Sequence, residues 1–284
     1  MKNQGTYNSA VRSRLFQSLF FTALLLTNVM MTYPSKDVKK PIAKGSLQVN
    51  NFKEKTIKAA KNVVIVHGAF ADGSGYKEIY RILTKKGFNV TIVQNPLTSL
   101  EDDVDATRRA LDKQDGPTIL VGHSWGGTVI TEAGVHDKVV ALVYIAAFQP
   151  DKGENTAQWA SSLPSAPENG ILPPDKNGAV YFDKSKFHAG FAADLSKEEA
   201  DFMYASQGPI FVTCFTAPVK EAAWRTKPSY GIVATEDKAI NPDIERNMYK
   251  RSGTKITEIK GSHVIFISKA SAVADVIVNA SKLN

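Results

Sequence analysis

Cysteine and histidine are scarce in this sequence. Cys214 is the only cysteine among 284 residues, so the chain can form neither an intrachain disulfide nor a cysteine-based metal cluster. Histidine occurs five times, which leaves few candidates for any site that needs an imidazole. Hydrophobic residues make up 43% of the chain, and this is enough for a sizeable core.

Most of the chain also lacks an excess of charge of one sign. The formal net charge is +7, but residues 1–33 contribute +3 and residues 34–61 contribute +6, which leaves −2 for residues 62–284. The body of the chain has no cluster of arginines and aromatic residues in place of that charge. It therefore lacks the electrostatic footprint of a nucleic-acid-binding protein, and nucleic acid is disfavoured as a partner.

The basic excess lies in a leader and a linker. Residues 15–33, "LFQSLFFTALLLTNVMMTY", form an apolar run after a basic start, and the run is close to the roughly 20 residues needed to span a bilayer. Residues 1–33 are therefore predicted to be a secretory signal peptide or an N-terminal anchor. Residues 34–61 are predicted to be a basic linker. We expect an exported protein that associates with a membrane only through the N-terminal segment, if it is retained.

From residue 62 onward, short apolar runs alternate with helical patterns. Such runs are typical of strands buried on both faces of a sheet. They cover residues 62–68, 88–93, 118–124, 138–148, 228–235 and 255–261. Parallel neighbouring strands need a crossover helix between them. The alternation therefore predicts an α/β fold with a doubly wound, mostly parallel sheet of about six strands, flanked by helices.

Residues typical of helix ends stand at the predicted boundaries. They are Gly87 after the first helix, Ser99 with Asp102 and Ser196 with Glu199 as capping boxes, and Asn241, Pro242 and Gly253 around a later helix. Residues 264–281 are predicted to form one final helix. These signals set the expected helix bounds.

The segment 149–215 interrupts the alternation. It combines a proline-rich stretch, "LPSAPENGILPP", with helical pieces rich in aromatic residues. An insertion of this length between two strands of one sheet predicts a helical cap over the sheet. The alternative is a satellite cluster that only covers hydrophobic surface.

The stretch "LVGHSWGGTVI" places Ser124 between Gly122 and Gly126. In the pattern G-x-S-x-G, a strand turns sharply into a helix and the serine occupies the strained bend, so its neighbours two residues away must be small. A serine in that position projects from the carboxyl end of the strand, where ligands bind in open α/β sheets. Ser124 is the predicted nucleophile, and a serine that only caps the helix is the alternative.

A serine nucleophile needs a base and a group that orients the base. His263, in "IKGSHVIFI", follows the last predicted strand and is the predicted base, because in this pattern the partners follow in the order serine, acid, histidine. The other histidines, His67, His123, His136 and His188, are interpreted as structural or solvated residues.

Asp237, at the end of the fifth predicted strand, is the predicted acid. Glu236 is its nearest competitor, and Asp151 and Glu154 after the fourth strand form a second alternative. Three further aspartates, Asp102, Asp103 and Asp105, are interpreted as first-turn charges that complement a helix dipole.

The predicted oxyanion hole uses two backbone N–H groups. One is that of Trp125, directly after the nucleophile, and the other lies in the loop "HGAFADGSG". Ala69 is the preferred donor in that loop, and Phe70 is the second choice.

The motifs "VVIVHGAF", "VGHSWGG", "GIVATEDKAINP" and "KGSHVIFI" together resemble the α/β-hydrolase superfamily, over about residues 62–284. They are most similar to its small esterase and hydroxynitrile-lyase branch, which includes plant methylesterases. The resemblance implies a six-stranded core, Ser124 as nucleophile, Asp237 as acid, His263 as base, and no metal or organic cofactor. Hydroxynitrile lyases of this branch tend to carry Thr in place of Gly68 and Lys in place of Val264.

The presence of Gly68 and Val264 in this sequence favours hydrolysis of an ester over cleavage of a cyanohydrin. The sequence thus predicts an exported serine esterase that acts on small esters with apolar or aromatic groups through an acyl-enzyme intermediate. A lyase on the same three residues is one alternative, and a non-catalytic ligand-binding protein is another, since a fold does not dictate function.

Overall fold

The computed structural model of the chain describes residues 60–282. The predicted leader, 1–33, lies outside the described residues, as does the predicted linker, 34–61, except for its last two residues. Within the described part of the chain, none of the helices is both long and apolar enough to cross a membrane.

In residues 60–282, eight strands form two sheets. They are β1 (Asn62–Val66), β2 (Asn89–Val93), β3 (Thr118–His123), β4 (Val139–Ile145), β5 (Ala179–Val180), β6 (Ile210–Phe211), β7 (Ser229–Ala234) and β8 (Lys255–Ile259). Six of them pair in the order β2-β1-β3-β4-β7-β8, and every neighbour is parallel. All residues of the central strands β1 and β3 are buried, because helices cover both faces of a parallel sheet. The predicted fold class is confirmed.

Ten α-helices accompany the strands in the described residues. They are α1 (Lys77–Lys85), α2 (Leu100–Asp112), α3 (Trp125–Ala133), α4 (Thr156–Ala160), α5 (Lys184–Phe191), α6 (Lys197–Ala205), α7 (Val212–Thr216), α8 (Pro242–Ser252), α9 (Ile265–Ser268) and α10 (Ala270–Ala280). Helix α1 packs against α10, and α2 packs against α3.

The helix ends follow the sequence signals in most places. Asn241 accepts a hydrogen bond from the Asp243 N–H at the start of α8, and Gly253 ends this helix with a φ of 70°. Ser196 forms a complete capping box with Glu199.

Two helix predictions need correction. Ser99 accepts from the Asp102 N–H, but the Asp102 carboxylate accepts from the hydroxyls of Thr98 and Ser99 instead of the Ser99 N–H, so only half of that capping box forms. The predicted final helix, 264–281, is two helices, because the backbone at Lys269 leaves the helical region with φ −123° and ψ 35°.

The insertion lies between β4 and β7. It contains α4 to α7 and a small antiparallel sheet of β5 and β6. The prediction of helices alone missed this sheet, because strands of two residues are too short to show an alternating pattern. An aromatic cluster joins the insertion to the loop after β1, with the Phe70 ring centroid 5.8 Å from that of Phe182 and 6.3 Å from that of Phe191.

The strand order defines where a ligand can bind. The chain runs from β1 to the edge strand β2, and then returns to β3 on the other side of β1. The loops after β1 and β3 therefore leave the sheet side by side and in opposite directions, which opens a crevice at the carboxyl ends of the strands.

Gly253→Ala is expected to lower the free energy of unfolding by about 1 kcal/mol, since a side chain in the left-handed region is strained. No atom lies within 4 Å of a Cβ built on Gly253, so the cost is that of the backbone alone. Gly208→Ala is the matched control, because its site is equally open and lacks a positive φ. Urea unfolding measures both variants, and equal effects would contradict the strain argument.

Candidate active site

Ser124 occupies a tight turn between β3 and α3. Its φ of 53° and ψ of −120° are unusual for a residue other than glycine. A Cβ on Gly122 would lie 2.5 Å from the Gly126 carbonyl oxygen, and a Cβ on Gly126 would lie 2.5 Å from the Val66 carbonyl oxygen. Both glycines are therefore required by the turn. The side chain of Ser124 makes no helix-capping hydrogen bond, so the capping interpretation is wrong.

The structure brings Ser124, His263 and Asp237 together. The Ser124 Oγ lies 2.8 Å from the His263 Nε2, and the His263 Nδ1 lies 2.6 Å from the Asp237 Oδ2. An ionised carboxylate only accepts hydrogen bonds, so Nδ1 carries the proton and Nε2 accepts from the serine hydroxyl. All three residues are buried, with 7%, 1% and 3% of their surface exposed.

The loop after β7 fixes the carboxylate of Asp237. Its Oδ1 accepts hydrogen bonds from the N–H groups of Ala239 at 2.7 Å and Ile240 at 3.0 Å. The other oxygen, Oδ2, faces His263. Hydrogen bonds at both oxygens hold the carboxylate in one orientation.

The competing carboxylates lie elsewhere. Glu236 is half-exposed and lies 3.4 Å from the Lys260 ammonium. Asp151 pairs with Arg225, and Glu154 accepts from Arg251 and from the Trp159 indole. None of the three forms a hydrogen bond with His263.

The remaining histidines bond mainly to the backbone. His123 donates from Nε2 to the His263 carbonyl at 2.9 Å, and burial, helped by the neighbouring His263, lowers the pKa of His123 well below its usual value. His67 accepts from the Asn95 N–H, and its pKa is also lowered by burial. His136 forms a hydrogen bond with Asp112, and His188 forms one with the Leu195 carbonyl.

The candidate oxyanion donors lie beside Ser124. Ala69, Phe70 and Trp125 line the same cavity as the serine. Within residues 60–282, no group accepts a hydrogen bond from the N–H of any of the three. Phe70 adopts a φ of 59° in this loop. The structure therefore leaves free donors at Trp125 and in the loop, and it does not choose between Ala69 and Phe70.

A cavity of about 400 Å³ opens at Ser124 and His263. Its wall combines the sheet loops with the insertion. The apolar lining residues are Ala69, Phe70, Trp125, Phe148, Ala157, Ala160, Leu163, Ile171, Phe191, Phe215, Ala239, Ile240 and Ile244. The polar ones besides Ser124 and His263 are Thr156, Ser161, Ser165, Asn169 and Asn241. Within the described residues, no Lys, Arg, Asp or Glu lines this cavity.

Asp103 lies in the first turn of α2, as predicted, but it does more there than complement the helix dipole. The side chain is buried and accepts hydrogen bonds from the Trp125 Nε1–H at 2.7 Å and the Leu97 N–H at 2.8 Å. Burial raises the pKa of Asp103 to about 6, against the lowering effect of these bonds. The sequence pattern could have predicted this burial, because Asp103 falls at helical spacing with Thr107 and Leu111 on the buried face of α2.

Among residues 60–282, no group of three or more His, Cys, Asp or Glu side chains is arranged to hold a metal ion. The arrangement around Ser124 can instead transfer protons between an oxygen nucleophile and an imidazole.

The parallel six-stranded sheet and the serine on its strand-to-helix turn define a protein of the α/β-hydrolase fold. The chain matches the model of the alpha/beta hydrolase family over residues 63–276. The protein belongs to that family, and the predicted resemblance is confirmed.

Three relatives illustrate the match. The alpha/beta hydrolase nvfD of Aspergillus novofumigatus is 27% identical over 77% of this chain and 96% of its own. A carbendazim hydrolyzing esterase of a Nocardioides species is 31% identical over 48% of this chain and 56% of its own. The crystal structure of polyneuridine aldehyde esterase shares the fold, with a TM-score of 0.69 and 16% identity over 78% of this chain and all of that one. The expected enzyme class, an ester hydrolase on this fold, agrees with these matches.

Asp103→Asn removes the buried titrating carboxyl. Its folded pKa of about 6 lies above the roughly 3.9 of an unfolded aspartate, so its stabilising contribution is present below about pH 4 and is lost as pH rises through about 6. The free energy of unfolding of the parent chain, relative to the variant, is expected to fall by about 2 to 3 kcal/mol from pH 4 to pH 7.

Urea unfolding at the two pH values measures this difference. The exposed Asp105→Asn on the same helix is the matched control, and its difference from the parent is expected to change by less than about 0.5 kcal/mol. Parallel pH dependence in the parent and Asp103→Asn would contradict the titration of Asp103.

Proposed function

We propose that the protein is a serine hydrolase that cleaves small carboxylic esters with apolar or aromatic groups. The observation that carries this proposal is the hydrogen-bonded series from Ser124 through His263 to Asp237, which opens onto an uncharged cavity. We propose further that the protein is exported, as its N-terminal sequence predicts, and that its partner is the ester substrate. The family resemblance implies that it needs no metal or organic cofactor.

In the first step, the Ser124 Oγ attacks the ester carbonyl carbon while His263 Nε2 takes the hydroxyl proton. The developing imidazolium is stabilised by the Asp237 carboxylate at Nδ1. The negative charge moves to the carbonyl oxygen of the tetrahedral intermediate. Backbone N–H groups of Trp125 and of Ala69 or Phe70 stabilise that oxygen, and the loss of one such donor costs on the order of 3 kcal/mol.

The intermediate then breaks its bond to the alcohol oxygen. His263 returns the proton from Nε2 to the leaving alcohol, and the acyl group stays on Ser124. Water attacks this acyl-enzyme, His263 takes a proton from the water, and the bond from Ser124 to the carbonyl carbon breaks. The carboxylic acid leaves and Ser124 regains its proton.

The wall of the cavity supports a neutral substrate. A charged group placed there would lose its hydration without gaining an ion pair, because the described lining residues carry no charge beyond what His263 acquires. Aromatic rings of Phe70, Trp125, Phe191 and Phe215 supply apolar contact surface. The esterase names of two relatives agree with an ester as the substrate.

The lyase alternative receives less support. A Cβ on Gly68 would lie 2.7 Å from the Cβ of Ser124, so this backbone has no room for a threonine at that position. Val264 is fully buried and offers no cation beside His263. A non-catalytic binding protein has no evident need for a nucleophile held in a strained turn and bonded to a base.

Ser124→Ala is expected to lower turnover of a neutral aryl ester, 4-nitrophenyl acetate, by at least about 10⁴-fold, because the acyl group then has no acceptor. A fluorophosphonate probe should label the parent chain at Ser124 and leave the variant unlabelled. Circular dichroism and thermal unfolding show whether the variant keeps the fold. Near-full activity in a folded variant would refute the assignment of the nucleophile.

Asp237→Asn is expected to lower kcat by about 10⁴-fold, since an amide at this position favours the wrong tautomer of His263. Glu236→Gln is the matched control and should stay within about twofold of the parent, because an exposed neighbour holds no proton in the reaction. Steady-state kinetics on the same ester separates the two. An equal loss of kcat in both variants would contradict the assignment of Asp237 and leave Glu236 as a candidate for the acid.

A further inference from the structure

One carboxylate of the insertion reaches the loop that carries His263. Asp194, which follows α5, accepts a hydrogen bond from the Ser262 N–H at 2.9 Å. It also accepts from the Ser262 hydroxyl and from the Ser268 hydroxyl, the latter at 2.6 Å. Ser262 directly precedes His263, and Ser268 ends the short helix α9 that follows it. Asp194 therefore joins both ends of the turn that presents the imidazole.

The packing around Asp194 leaves this contact little freedom. A Cβ on Gly261 would lie 2.9 Å from the Asp194 Oδ2, so only a glycine lets the carboxylate approach the backbone here. Asp194 is exposed and, among the described residues, pairs with no Lys or Arg side chain. Partial desolvation raises the pKa of this carboxyl, but the hydrogen bonds from Ser262 and Ser268 together outweigh it, so the pKa is lowered from its usual value. The carboxylate thus accepts its hydrogen bonds from residues of the His263 loop and of the helix that follows it.

The same part of the insertion contacts the imidazole itself. The ring of Phe191, at the end of α5, lies edge-to-face on His263 with centroids 4.9 Å apart, and Phe191 also lines the cavity. The ring of His123 also lies close to that of His263, with centroids 4.6 Å apart. Phe191 therefore contacts the ring of the base, and Asp194 binds the loop that carries it.

We infer that Asp194 is a positioning residue for His263. It holds the loop so that Nε2 reaches Ser124 while Nδ1 faces Asp237, and the insertion thereby takes part in catalysis as well as in forming the cavity. This inference rests on the proposed function, in which His263 is the base. Asp194 itself contacts no reacting atom.

Asp194→Asn tests the inference. The amide keeps the shape of the side chain but removes its charge, and its NH₂ group can only donate, so at least one hydrogen bond to Ser262 or Ser268 reverses or is lost and the others weaken. Because a small misplacement of a catalytic group is costly, kcat for 4-nitrophenyl acetate is expected to fall by about tenfold or more, with KM within about twofold of the parent.

Asp183→Asn is the matched control. Asp183 lies at the other end of α5, in the same insertion. Its carboxylate accepts from the N–H and the hydroxyl of Ser185 and, among the described residues, from no group of the His263 loop. An asparagine caps a helix about as well as an aspartate, so kcat of this variant should match that of the parent. An equal loss of kcat in both variants would overturn the positioning role.

A second measurement reports on His263 without turnover. The proton on Nδ1, hydrogen-bonded to Asp237, is expected to give a downfield proton NMR signal in the parent chain and in Asp183→Asn. In Asp194→Asn this signal should weaken or exchange faster with water. An unchanged signal together with an unchanged kcat in Asp194→Asn would overturn the inference.

The two proposals can fail separately. If the parent neither cleaves esters nor reacts with a fluorophosphonate, the proposed function fails, and the NMR signal still decides the role of Asp194. If Asp194→Asn does not fold, Ser262→Ala serves instead, because it removes one donor and keeps the carboxylate. It should lower kcat in the same direction, and an unaltered kcat and NMR signal in Ser262→Ala would count against the inference.

Discussion

The close approach of backbone to backbone at the turn after β3 constrains everything else in the site. A Cβ on Gly127 would lie 2.2 Å from the Phe148 carbonyl oxygen, and those on Gly122 and Gly126 would meet other backbone oxygens at 2.5 Å. Without side chains at these positions, α3 can begin directly under the strand ends. The strained backbone of Ser124 then presents its hydroxyl at the crevice between the β1 and β3 loops. Each other group is placed relative to that point.

The partners of the serine arrive on loops that other contacts hold in place. Backbone N–H groups orient Asp237, the carbonyl of His263 accepts from a neutral His123, and the buried Asp103 secures the Trp125 indole. Every one of these contacts satisfies a polar group away from water. Such networks are rigid when complete and costly when broken, which suits a site in which proton transfer depends on distances of less than 3 Å.

Much of this arrangement could be predicted from the sequence because local rules carry it. The parallel sheet follows from the alternation of apolar runs and helices, and the meeting of Ser124, Asp237 and His263 follows from their places after parallel strands. Their chemical roles stay a proposal. The missed features depend on contacts distant in sequence. Asp194 and Ser262 are 68 residues apart, and no local pattern marks that pair. The buried face of α2 did mark Asp103, but its neighbouring aspartates obscured the signal.

The lone cysteine has a practical consequence. Cys214 lies in α7 of the insertion, is fully buried, and has a thiol pKa raised by burial to about 12. Thiolate is the reactive form, so the folded chain holds almost none of it near neutral pH. Thiol-specific alkylating reagents therefore react very slowly with Cys214 until this part of the insertion unfolds. The rate at which they modify Cys214 therefore measures how often this part of the insertion unfolds.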